Sequence, residues 1–123
     1  MTRILVFDEY PSMREILAEE LAADGSTVVL LGKTDLILKE ISIFRPDLMV
    51  LDLFLRGKWR WDLFEEIKAR NPDLPILIFS GCSPRGDPHL LQTEGFVMKS
   101  SVFDELRENI LKIRMHSRLA LNM

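Results

Sequence analysis

The chain has 123 residues, which fits one domain near the commonest size and is enough for a real core. Apolar residues make up 47% and charged residues 28%, as in an ordinary soluble globular protein, and a formal charge of −3 gives no reason to expect nucleic-acid binding. The single cysteine, Cys82, excludes a disulfide framework and points to a reducing compartment, and no apolar stretch approaches the roughly 20 residues of a membrane span.

The first apolar run, Arg3 to Phe7, reads as a strand and ends in Asp8-Glu9. Pro11-Ser12 then opens a helix with Met13, Ile16, Leu17 and Leu21 at helical spacing. Asp24-Gly25 stops it, since glycine accepts the left-handed conformation common just past a helix end. Thr27 to Leu31 is β-branched and apolar and reads as the second strand. Thr34 is placed to cap a helix through Leu38 and Ile41 to about Phe44, which Arg45-Pro46-Asp47 ends. Leu48 to Leu51 forms the third strand and runs into Asp52.

A loop is expected from Leu53 to Arg60, followed by a helix that presents Leu63, Phe64 and Ile67 before the break at Asn71-Pro72. Ile76 to Phe79 is the fourth strand and ends at Ser80-Gly81. Ser83 to Pro88 is rich in turn residues and leaves room only for a short helix over His89 to Glu94. Phe96 to Met98 is the fifth strand and ends at Lys99. Ser101 and Asp104 resemble the two ends of a capping box, and the last helix shows Phe103, Leu106, Ile110 and Ile113 on one face. The basic group Lys112, Arg114 and Arg118 complements the dipole at its end.

Short, continuously apolar strands are buried on both faces of a parallel sheet, and strand alternating with helix places helices on both faces. Ligands of such sheets bind beyond the carboxyl ends of the strands. Asp8, Glu9, Asp52, Ser80 and Lys99 would therefore meet at one rim. Three carboxylates without a cation would repel one another, so the set suits a divalent cation and a phosphoryl group.

On these residues the chain resembles, over nearly its whole length, the receiver domain of bacterial two-component response regulators. The resemblance rests on an acidic pair after the first strand (Asp8-Glu9) and an aspartate ending the third (Asp52). It rests equally on a serine followed by a small residue ending the fourth (Ser80-Gly81) and a lysine ending the fifth (Lys99). It implies a flavodoxin-like, doubly wound α/β fold with five parallel strands in the order 2-1-3-4-5 and helices on both faces.

The resemblance further implies that Asp52 is a phosphoacceptor, modified by a histidine kinase or phosphotransfer protein with Mg²⁺ as cofactor. Asp8, Glu9, Asp52 and the backbone carbonyl of Phe54 would hold the metal, while Lys99 and Ser80 would pair with phosphoryl oxygens. Ser80 and Phe96 would form the switch, with Phe96 either turning inward as the hydroxyl shifts or standing as a fixed core residue. Such a domain promotes its own phosphorylation and hydrolysis but is a switch, not a turnover enzyme. Its partners would be the kinase and a downstream protein target or output domain, with a homodimer as a further expectation. The chain is then one cytoplasmic receiver over 1–123, without signal peptide or membrane partner, and either stands alone or belongs to a larger regulator.

Three features depart from the family pattern. Ser100 stands where the family usually has proline, often after a cis bond. A cis bond before a non-proline residue costs about 3–4 kcal/mol, so either a strained cis Lys99–Ser100 bond or a trans loop that shifts Lys99 is expected. Leu55-Arg56 and Arg60 replace the family's Met-Pro and glycine, and Trp59 and Trp61 alternate with basic residues. The two tryptophans read either as a partner surface or as packing on the next helix, with Trp61 the more buried. Phe54 is expected to shield a phosphoryl group from water.

The third departure is the short segment before the fifth strand, which shrinks a helix of the family's output face and argues against ordinary family-style dimers. These departures favour a rival reading, a degenerate receiver that binds proteins without phosphorylation; the full set of five site residues opposes it. A dehalogenase-like phosphatase wants a second aspartate two residues after its nucleophile on the first strand, where this chain has Tyr10.

Overall fold

A computed structural model describes residues 2–100 and 102–121. Its central sheet consists of β1 (Arg3–Phe7), β2 (Thr27–Leu31), β3 (Leu48–Leu51), β6 (Ile76–Ser80) and β7 (Gly95–Met98). All four pairings are parallel, and the spatial order is β2-β1-β3-β6-β7. The expected order 2-1-3-4-5 is corrected in its numbering, because the loop expected after Asp52 contains two further strands, β4 (Phe54–Leu55) and β5 (Lys58–Trp59). These pair antiparallel around Arg56 and Gly57, both at positive φ (53° and 76°). Two positive-φ residues between paired strands make the tight turn whose twist matches a hairpin, and glycine at the second position permits it.

Four α-helices cover the sheet among the described residues: α1 (Pro11–Ala22), α2 (Ile37–Phe44), α3 (Trp61–Arg70) and α4 (Asp104–Leu121). Side chains alternate along each strand, so the sheet feeds two cores. Leu5, Phe7, Met49, Leu51, Ile76 and Ile78 pack with Ile37 and Ile41 of α2 and Phe64 and Ile67 of α3. Ile4, Val6, Leu48, Val50, Leu77 and Phe79 pack on the other face with Leu17 and Leu21 of α1 and Leu106, Ile110 and Ile113 of α4. Fully burying one such side chain stabilises by about 1.5–3 kcal/mol, and the central strands bury theirs on both sides. No helix among the described residues is long and apolar enough to cross a membrane.

Helix ends follow the sequence in part. Pro11 sits at the start of α1, where its missing N–H costs nothing, and Gly25 follows the helix at φ 79°. Thr34 does not cap α2; a 3₁₀ turn over Thr34–Leu36 precedes the helix instead. The capping box expected from Ser101 lies outside the described residues, as does the Arg118 side chain. Arg107 of α4 is ion-paired with Glu20 of α1 and, at 3.4 Å, with Asp104.

The short helix expected over His89 to Glu94 is a 3₁₀ turn over Pro88–Gln92. Asp87 caps it, accepting from the His89 N–H at 2.9 Å. The imidazole is clamped on both nitrogens, by Asp87 Oδ1 at 2.7 Å and Glu65 Oε1 at 2.9 Å. Trp61 is 8% exposed and Trp59 half-buried, as expected. The Trp61 indole stacks between Trp59 (5.4 Å, 12°) and His89 (4.9 Å, 4°).

The hydrogen bonds its ring donates to Glu65 and then to Asp87 raise the His89 pKa above its ordinary value of 6.5. The protonated ring binds its carboxylates better in the folded state. Its contribution is therefore full below pH 6.5 and is lost as pH rises through the raised folded value. The urea midpoint is expected to fall across that window in the wild type, and this particular fall is expected to vanish in His89→Ala.

Candidate functional site

Strand direction assembles the site. β1, β3, β6 and β7 run parallel, so Asp8, Asp52, Ser80 and Lys99 all lie at their carboxyl ends. Asp8 is 1% exposed, Asp52 3% and Ser80 1%. The backbone holds each to a neighbouring strand: Asp8 N–H donates to the Leu31 carbonyl at 3.0 Å, Asp52 N–H to Phe7 at 3.1 Å, and Lys99 N–H to Ser80 at 2.8 Å.

The Lys99 ammonium sits between the two buried carboxylates. Nζ donates to Asp52 Oδ2 at 2.7 Å and forms an ion pair with Asp8 Oδ2 at 2.6 Å. Burial pulls the ammonium's pKa down, but its contacts with Asp52 and Asp8 outweigh that, so it lies above the ordinary lysine value. The other carboxylate oxygens are held by turns of backbone. Tyr10 N–H donates to Asp8 Oδ1 and Phe54 N–H to Asp52 Oδ1, each at 3.0 Å. The Tyr10 ring lies 5.4 Å from Nζ, at the range of a cation–π contact.

Asp52, Phe54, Ser80, Cys82, Lys99 and Tyr10 line a pocket of about 300 Å³ at this rim. The Cys82 N–H reaches the Ser80 hydroxyl at 3.4 Å, so the cysteine is a half-buried wall of the pocket. A larger cleft of about 660 Å³ includes Arg45, Asp47, Asn71 and Asp73, before β3 and β6, but gathers no comparable set of buried charges.

Glu9 is the exception among the expected ligands. It lines a neighbouring groove of about 380 Å³ together with Lys33, Arg56 and Arg60. Among the described residues, no three His, Cys, Asp or Glu side chains are grouped to hold a metal ion in this arrangement. Asp8 and Asp52 nevertheless fit a hard divalent cation. They supply only oxygen donors, and Asp8 Oδ2 is buried with the Lys99 ion pair as its partner and no hydrogen bond of normal geometry. One or two carboxylates, with waters, are what Mg²⁺-type sites commonly draw from a protein.

Among the described residues no peptide bond is cis, so Lys99–Ser100 is trans, and the ammonium still reaches both carboxylates. Phe96 is half-buried and packs against the core beneath α2 and α3. Of the groups around the site, the sequence reading missed the Tyr10 ring over Lys99 and the contacts of Arg14. Tyr10 adjoins the acidic pair, a position that signals proximity, whereas nothing about Arg14 marks it.

A family model described as the response regulator receiver domain matches residues 4–111. NtrX of Azorhizobium caulinodans, a nitrogen assimilation regulatory protein, is 33% identical over 81 residues, which are 63% of this chain and 18% of that protein. MtrA of Mycolicibacterium smegmatis, a DNA-binding response regulator, is 33% identical over 78 residues, 63% of this chain and 34% of that protein. The chain thus spans only a minor part of these relatives. The response regulator TrrA from Thermotoga maritima, crystallised in complex with Mg²⁺-BeF, superposes with a TM-score of 0.83 at 32% identity, covering 92% of this chain and 99% of that one. TrrA in complex with the histidine kinase ThkA gives a TM-score of 0.82 at 32% identity, covering 92% and 98%.

Proposed function

Because this chain belongs to the response regulator receiver domain family, we propose that Asp52 accepts a phosphoryl group, with Mg²⁺ bound, and that its modification switches a protein-binding face. The observation that carries this reading is the Lys99 ammonium held 2.7 Å from Asp52 and 2.6 Å from Asp8 in a pocket shared with Ser80. The donor is a histidine kinase or phosphotransfer protein, a choice supported by the complex of TrrA, a similar protein, with the kinase ThkA. The Mg²⁺-BeF complex of TrrA supports the cofactor. The single domain spans 1–123, is cytoplasmic, is not a turnover enzyme, and acts on a downstream protein target or output domain.

In this reading an Asp52 oxygen forms a bond to phosphorus as the donor's bond to phosphorus breaks. Phe54 N–H, already on Asp52 Oδ1, keeps the carboxylate in one orientation while the other oxygen lies toward Lys99. The Lys99 ammonium pairs with one oxygen of the transferred group, and the Ser80 hydroxyl pairs with another. Bound Mg²⁺ would supply the charge that offsets repulsion between the carboxylate and an anionic donor, with Asp8 and Asp52 as its protein ligands and Glu9 and the Phe54 carbonyl as further candidates.

A second reading, a degenerate receiver working by protein binding alone, is favoured by the place of Glu9 in the neighbouring groove. One experiment separates the two: incubation of the wild type with Mg²⁺ and acetyl phosphate, followed by intact-mass measurement and peptide mapping. The expected result is one added phosphoryl group located at Asp52. No gain under conditions that modify a known receiver favours the degenerate reading, and a gain at another residue removes Asp52 from its role.

Phe54 is half-buried, lines the pocket, and packs against Trp59 at 5.3 Å between ring centroids. Its ring is expected to keep water from the acyl phosphate, so Phe54→Asn should lose its phosphoryl group faster than the wild type. Dephosphorylation followed after removal of the donor measures this; an equal or slower rate refutes the shielding role.

A further inference from the structure

We infer that Arg14 is a positioning residue for the acidic rim: it fixes Asp8 through the backbone, and Gly32 is the bare surface that lets it do so. Asp8 is where β1 leaves the sheet. Its N–H still donates to the Leu31 carbonyl at 3.0 Å, but β2 ends at Leu31 and offers the Asp8 carbonyl no partner beyond. Arg14, at the end of the first turn of α1, supplies the missing donor, with Nη1 2.7 Å from that carbonyl oxygen. Half-buried carbonyls left without a donor are costly, so this bond restrains the Asp8–Glu9 peptide plane.

Gly32 explains how the guanidinium gets there. A Cβ on residue 32 would lie 2.4 Å from Arg14 Nη1 and 2.7 Å from Cζ, so any larger residue displaces the guanidinium. Residue 32 is not at positive φ, so glycine is needed for space and not for backbone conformation. The restraint then passes to the side chain. Tyr10 N–H holds Asp8 Oδ1 at 3.0 Å while Oδ2 meets the Lys99 ammonium at 2.6 Å. Carbonyl, carboxylate and ammonium form one unit anchored on Arg14. Partners of this outer kind orient the groups that touch a cation and typically change metal affinity by about 10-fold to 100-fold when removed.

The metal arm of the test rests on the phosphoacceptor reading, and the second arm does not. Mg²⁺ dissociation constants, measured by calorimetry, and native-state hydrogen exchange of the Tyr10 amide are compared across Arg14→Ala, Arg14→Lys, Gly32→Ala and Leu17→Ala. Leu17 is fully buried in the core under α1 and lines neither the pocket nor the groove beside it, so Leu17→Ala reports plain loss of stability. Arg14→Ala and Gly32→Ala are expected to weaken Mg²⁺ binding by about 10-fold or more and to speed Tyr10 exchange. Arg14→Lys, which keeps a donor within reach, should recover most of both, and Leu17→Ala should leave Mg²⁺ affinity near the wild-type value. Tyr10 exchange unchanged in Arg14→Ala, or Mg²⁺ affinity lost equally in Leu17→Ala, overturns the inference. A wild type that binds no Mg²⁺ counts against the phosphoacceptor reading, and Tyr10 exchange then decides the role of Arg14 alone.

Discussion

Lys99→Ala is expected to lose both phosphoryl uptake and a large part of its folded stability at neutral pH. The ammonium is the counter-charge within 2.7 Å for two carboxylates that are 1% and 3% exposed. Removing one partner of a buried ion pair leaves an uncompensated charge and typically costs about 3–5 kcal/mol. Here two like charges would face one another, so the upper part of that range applies. The double variant Lys99→Ala/Asp52→Asn removes one of them and should recover part of the loss. Added Mg²⁺ should also stabilise Lys99→Ala, since a cation that binds only the folded state shifts the equilibrium toward it. Uptake from acetyl phosphate should fall by about 100-fold, the usual effect of deleting a donor aimed at a transferring group.

The alkaline limb gives an independent check of the same contact. Because the folded-state pKa of Lys99 is raised above 10.5, its stabilising contribution is full below pH 10.5 and disappears as pH climbs through the folded value. Wild type should show that alkaline loss in its urea midpoint and Lys99→Ala should not. A Lys99→Ala protein with the midpoint of the wild type at neutral pH would mean that water solvates the carboxylates, or another cation neutralises them, as well as the ammonium does, and the ion pair would lose its structural meaning.

The part of the fold legible in the sequence is the part governed by strand periodicity. The apolar runs before Asp8, Asp52, Ser80 and Lys99 are continuous, parallel strands bury both faces, and a common direction sends their ends to one rim. Glu9 was harder. It follows Asp8 directly, and a residue just past a strand end has no fixed face, so adjacency in sequence said nothing about which groove it would line. The hairpin of β4 and β5 was hidden because it has only two residues on each side of its turn, too short for alternation to register. Arg56 at positive φ gave no warning, since the usual residues there are Asn, Asp and Gly. The bond from Arg14 to the Asp8 carbonyl has no residue signature at all, because a backbone acceptor can belong to any side chain.

Trp61→Ala is expected to cost about 3–5 kcal/mol, the range for truncating a buried aromatic residue. Trp61 stands at the centre of a ladder: Phe54 meets Trp59 at 5.3 Å, Trp59 stacks on Trp61 at 5.4 Å, and Trp61 stacks on His89 at 4.9 Å. Its edge also meets Phe64 of α3 at 5.7 Å. In the 3₁₀ turn over Pro88–Gln92, Leu91 is 89% exposed and Leu90 packs on the core, so Leu90 and this stack attach the turn to the domain. Trp59→Ala removes a half-buried ring at one end and should cost less, about 1–2 kcal/mol. The Trp61 indole N–H is buried and comes near Asp87 without a hydrogen bond of normal geometry, so Trp61→Phe should cost much less than Trp61→Ala. Because Phe54 carries the N–H that holds Asp52 Oδ1, the loosened ladder should also slow phosphoryl uptake in Trp61→Ala that is still folded. Urea midpoints rank the three variants, and hydrogen exchange of residues 88–92 against the central strands shows whether the turn opens first. Equal costs for Trp59→Ala and Trp61→Ala, with no local opening of that turn, would reduce the ladder to ordinary surface packing.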